Sequence, residues 1–174
     1  MGHNKKDLQD KCDNWSNLCA FLARCVQSGF LYRRKNERWY PLYDIPEGLQ
    51  EDHPVEIIDK CFLTVATQYI LLAGPKIYDE LVEMPWQGSS RQERVDMWLH
   101  WDKRLKEIAD GADTGSKLGC TARKAHEKMR SVRYEATGVV HEPERESRIA
   151  SSGGGGWFGL AGVFGGWLKP ARGD

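Results

Sequence analysis

Charge of one sign is missing from this chain: 25 Lys and Arg face 25 Asp and Glu across its 174 residues. A nucleic-acid binder carries clustered Lys and Arg on one face, so a balance of zero argues against nucleic acid as a partner. Long hydrophobic runs are missing as well. The mean hydropathy is −0.60, apolar runs last only a few residues, and a bilayer-spanning helix needs about 20 apolar residues. No transmembrane span is expected. Alternation of apolar and polar residues is too brief anywhere to make a strand. The five cysteines, Cys12, Cys19, Cys25, Cys61 and Cys120, are odd in number and form no CxxC pair. With no apolar leader before them, they argue against a secreted disulfide framework. Reduced, mostly buried thiols in a cytoplasmic or nuclear protein are the expectation. His, Cys and carboxylates do not fall at metal-ligand spacing. Gly153 to Gly156 lacks the Lys-Ser/Thr of a phosphate loop. Neither metal nor cofactor is therefore expected. Gly2 invites myristoylation, but Lys6 stands where that motif wants Ser or Thr.

What is present is helical periodicity. Trp15, Leu18, Cys19, Leu22, Cys25 and Val26 recur at steps of three and four, predicting a helix from about Trp15 to Gln27 with Asn14 as N-cap and Gly29 as stop. Phe30 to Gln50 is punctuated by Pro41 and Pro46 and reads as a short helix or an aromatic-bearing loop. Pro54 is placed to open the next helix. Val55, Ile58, Cys61, Phe62, Val65, Tyr69, Ile70 and Leu72 follow, with Leu63, Ala66 and Leu71 making it apolar on more than one face. Such a helix is a buried one, so Pro54 to Ala73 is expected at the centre, with Ile58 and Phe62 in the core. Gly74-Pro75 should end it and start a short helix through Leu81. Ser90-Arg91-Gln92-Glu93 spells a capping box ahead of a helix with Val95, Trp98, Trp101, Leu105 and Ile108 on one face. A last helix, about Ser116 to Val132, carries Leu118, Ala122, Ala125, Met129 and Val132. The fold class is all-α, a compact bundle of five or six helices over residues 1–134. Residues 135–174, charged and then rich in Gly and Trp, are expected to form a disordered tail.

Three stretches carry a resemblance. Trp15-Ser16-Asn17-Leu18-Cys19-Ala20-Phe21-Leu22-Ala23-Arg24 is the first. Gln68-Tyr69-Ile70-Leu71-Leu72-Ala73-Gly74 with Ile77-Tyr78 is the second. Pro85-Trp86-Gln87-Gly88, then Arg94 to Lys103 with Trp98 and Trp101, then Ala125 to Met129, is the third. Together, over roughly residues 14–133, they resemble a fungal family of small helical proteins catalogued only as a domain of unknown function. Pro41 and Pro46 depart from that pattern, and the glycine-rich tail has no counterpart in it. The resemblance implies a helical fold and a fungal source, and it brings no catalytic residue with it.

The candidate site is an aromatic binding surface formed by Trp86, Trp98 and Trp101. Trp98 and Trp101 share a helical face and could as well be plain core. As a surface they would take a protein partner or an apolar small molecule. His100 is a weak catalytic candidate, with Asp96 four residues earlier as its better-placed neighbour. His126 and Arg130 share a face and read as solvated, as does Arg33-Arg34-Lys35 near Trp39. The tail's Trp157 to Leu168 could touch a membrane surface. No nucleophile–base, metal or phosphate constellation stands out. The expected function is thus a non-catalytic binding or interaction protein, the alternative being a small enzyme or accessory factor in a fungal secondary-metabolic pathway.

Overall fold

The structure, a computed structural model, describes residues 5–31, 40–83, 88–113 and 115–138. All of them fall in the compact unit Met1–Val140. Among them five helices follow in order: α1 (Lys5–Gln27), α2 (Pro41–Leu49), α3 (Glu56–Glu83), α4 (Arg91–Gly111) and α5 (Lys117–Thr137). No strand occurs among the described residues. α5 runs to Thr137, three residues into the tail expected from residue 135; from residue 139 on, that tail lies outside the described residues.

α3 is the axis of the bundle, with α1, α2, α4 and α5 all packed against it. Val65, Ala66, Tyr69, Ile70, Ala73 and Ile77 have no exposed surface. By length and composition alone α3 could cross a bilayer. In the fold it is instead the core helix that the other four cover. Ile58 and Phe62 lie toward its edge and are only half-buried, with Phe62 stacked on His53 at 4.6 Å between ring centroids. The fully buried positions come later along the helix.

Three boundaries differ from the sequence expectation. Asn14 is not an N-cap: α1 starts at Lys5, ten residues before Trp15. Only Cys12 is buried in that added stretch, which is held by local pairs, Lys11 to Asp7 and Gln9 to Asp13, both at 2.8 Å. Such i,i+4 pairs add a few tenths of a kcal/mol each and leave no apolar signature. α3 begins at Glu56 rather than at Pro54, and Gly74-Pro75 does not end it. Pro75 takes one N–H from the ladder and leaves the Leu71 carbonyl without its intrahelical donor. Burial of Ile77, Tyr78, Leu81 and Val82 beyond the break outweighs a local cost of about 3 kcal/mol, because each fully buried large apolar side chain contributes about 1.5–3 kcal/mol.

Elsewhere local signals match. Gly29 ends α1 at φ 73°, with the Phe30 N–H on the Cys25 carbonyl at 2.9 Å and the Gly29 N–H on Val26 at 3.0 Å, a Schellman stop. α2 is short, starts on Pro41 and contains Pro46. Ser90 and Glu93 form the capping box of α4. Arg94, buried behind that box, donates to the carbonyls of Ser89 and Val82, the latter at 2.9 Å. It thereby ties the first turn of α4 to the last turn of α3. Ser116 caps α5, accepting from the Gly119 N–H.

Candidate functional site

Trp98 and Trp101 stand inside the bundle, 1% and 0% exposed. Trp98 meets Tyr78 edge-on at 5.0 Å and Trp101 at 6.2 Å. Neither ring faces solvent, because the face they share with Leu105 is the one α4 turns toward the core. Trp86 lies outside the described residues, as do Arg33, Arg34, Lys35 and Trp39. His100 is exposed, and Asp96 accepts instead from the Gln92 amide at 2.8 Å.

His126 is not simply solvated. Its Nδ1 lies 2.6 Å from Asp102 Oδ1 across the α4–α5 seam, with both side chains under one-fifth exposed. Burial pushes the Asp102 carboxyl up, against the opposing pull of His126, Arg130 and Arg133. A carboxylate on one ring nitrogen orients an imidazole for proton transfer at the other. The dyad spans residues 24 apart, so no local motif could have announced it.

A second polar cluster closes the junction of α1, α2 and α3. Tyr69 points its hydroxyl toward Asp44 and Cys19, yet neither that hydroxyl nor Asp44 Oδ2 completes a hydrogen bond of good geometry. Burial raises the Asp44 carboxyl from 3.8 to about 6, with Glu47 adding repulsion and Tyr69 opposing. Burial and the Asp44 charge push the Cys19 thiol up to about 12. A thiol so far from ionisation is a poor nucleophile.

At the α4–α5 turn a polar cleft of about 220 Å³ is lined by residues that include Asp110, Asp113, Cys120 and Arg123. Cys120 is exposed there, the one exposed thiol in a set otherwise buried or half-buried as expected; all five cysteines are free. Among the described residues no group of three or more His, Cys, Asp or Glu could share a metal ion.

The remaining feature is an apolar face. Cys12, Cys19, Ala23 and Val26 turn α1 toward the core. Beside them runs a second stripe, Trp15, Leu18, Leu22 and Cys25, that α3 covers only in part. Leu18 is 47% and Phe21 59% exposed, and just past the helix stop Phe30 is 83% and Leu31 37% exposed. The sequence displayed this stripe, but periodicity alone assigns it to a core. What periodicity cannot tell is that α1 is an edge helix, with α3 as its main neighbour.

The chain belongs to the family described as a protein of unknown function (DUF3632), whose pattern matches residues 3–133, from the start of α1 into α5. No curated protein and no solved structure matches it. The resemblance read from the sequence thus holds at the level of the family, whose description assigns no reaction.

Proposed function

We propose that this chain is a non-catalytic interaction protein and that its docking surface is the outer face of α1. One observation carries the reading: Leu18 and Phe21 stand half exposed three residues apart on an edge helix, and Phe30 and Leu31 are exposed just past its end. Single exposed apolar residues are ordinary, whereas a contiguous set on one face marks an interaction site. The occupant that suits a lone ridge with three- and four-residue spacing is another helix, laying its own apolar stripe alongside. The test is a photo-crosslinking residue at Phe21 in the full chain within cells, with the same residue at exposed Lys124 on α5 as control. Crosslinks to a protein chain are expected from position 21 and not from 124, and they should vanish when Leu18→Glu is added. No crosslink from 21, or equal capture from both positions, overturns the reading.

The Asp102–His126 dyad favours a second reading, a small enzyme or accessory factor that moves a proton. A base must reach the proton it takes. A pathway substrate that His126→Gln fails to turn over, while melting like the parent, would establish that reading in place of the first.

A further inference from the structure

At the seam between α1 and α3 two thiols from distant parts of the chain share one contact. Cys12 and Cys61 are 49 residues apart in sequence, and the Cys61 thiol donates to the Cys12 carbonyl at 3.6 Å. In return the Cys12 thiol donates to the Ile57 carbonyl at 3.9 Å. Ile57 stands one turn before Cys61, so that carbonyl belongs to the turn of α3 that carries Cys61. The two side chains also interact directly. Each short side chain thus lies against the other's backbone, as the small Cα and Cβ separations of a disulfide require. Cys19, the third thiol on this face of α1, is engaged elsewhere, beside Tyr69 and Asp44, and has no exposed surface. Cys12 and Cys61 keep a trace of it, 9% and 8%.

We propose that Cys12 and Cys61 form a reversible disulfide that staples α1 to α3, the oxidant being a low-molecular-weight disulfide. Nothing in this staple depends on what docks at the outer face of α1. One thiolate of the pair attacks a sulfur of the oxidant, whose S–S bond breaks and whose departing thiolate takes up a proton. The other protein thiolate then attacks the protein sulfur of the mixed disulfide and expels the second half as a thiol. Two protein thiols are oxidised to one disulfide, the oxidant is reduced to two thiols, and both protein protons end on them. Burial, then the neighbouring Cys12 side chain, push the Cys61 thiol up to about 12. In the closed seam it is protonated and unreactive, so the bridge forms during openings of α1. Once formed, it closes a long loop and restricts the unfolded chain. It also fixes α1 to its main neighbour.

The test is incubation of the reduced, native full chain with oxidised glutathione, followed by peptide mapping with fragmentation and by thermal melts. The expected product is a Cys12–Cys61 bridge within one chain, with the helical circular-dichroism signal unchanged and the melting temperature raised by about 10 °C. Dithiothreitol should restore both thiols and the lower melting temperature. Cys12→Ser and Cys61→Ser, each close in size to the native side chain, should melt alike with and without oxidant. Glutathione adducts at Cys25 or Cys120 with Cys12 and Cys61 left free overturn the proposal. So does a bridge that uses Cys19 instead, or a Cys12–Cys61 bridge that lowers the melting temperature.

Discussion

Asp44 puts a carboxyl where three helices meet, its Oδ2 and the neighbouring Tyr69 hydroxyl both buried without a hydrogen bond of good geometry. In the unfolded chain it titrates near 3.8, and in the folded chain at about 6. Between those values the folded state binds more protons than the unfolded, so stability falls as pH rises through the window. Below it both states are protonated and the penalty is absent; above it the full penalty stands. The shift corresponds to about 3 kcal/mol. Asp44→Asn should therefore stabilise the protein at neutral pH, by roughly 1–3 kcal/mol once the cost of a partly unpaired amide is allowed for, and change little below the ordinary carboxylate range. Urea melts of both proteins at the two pH values measure the difference. A gap that is the same at both would show that the charge of Asp44 is not what matters.

α2 comes close to α3 at Gly48. A Cβ there would overlap the Phe62 carbonyl and lie 2.9 Å from Ala66 Cβ. Two effects compete for Gly48→Ala. Helix propensity favours alanine by about 1 kcal/mol. Overpacking costs about 1–3 kcal/mol, and more where backbone must move, and the atom in the way is backbone. Packing should win, and the variant should melt lower than the parent in a thermal scan; a higher melting temperature would mean α2 can slide without loss. No reading of the sequence could place this glycine, because its role is set by a helix that comes later in the chain. The same divide runs through the whole fold. The Ser90–Glu93 box, the Gly29 stop and the apolar faces of α3, α4 and α5 are local patterns, and they were legible. The passage of α3 through Pro75 was not, since its compensation lies in contacts made by Ile77, Tyr78 and Leu81. The Asp102–His126 dyad and the exposure of Phe21 are likewise products of which helix lies beside which, whereas the buried tryptophans followed the core reading that their shared face allowed.

The bundle as a whole joins α1 to the rest mainly through one contact, its seam with α3, and that seam carries three of the five thiols. Cys12 and Cys19 face inward from α1 and Cys61 from α3. The Cys61 thiol sits 3.6 Å from the Cys12 carbonyl, with the Ser16 hydroxyl 3.9 Å from its sulfur. Burial pushes Cys61, like Cys19, up to about 12. Reaction with a thiol reagent needs both access and thiolate, so these cysteines are silent until the seam opens. Cys120, exposed at the start of α5, is not protected. A native chain treated with an aromatic disulfide reagent should thus show one fast thiol, a slower Cys25, and three that react only on opening. Whether those three wait for global unfolding depends on how α1 is held. An edge helix resting on one main neighbour is a natural unit of sub-global opening, so Cys12, Cys19 and Cys61 should label together and ahead of the loss of Trp98 and Trp101 fluorescence burial. Labelling of the three at the global unfolding rate would show instead that α1 is fully cooperative with the core.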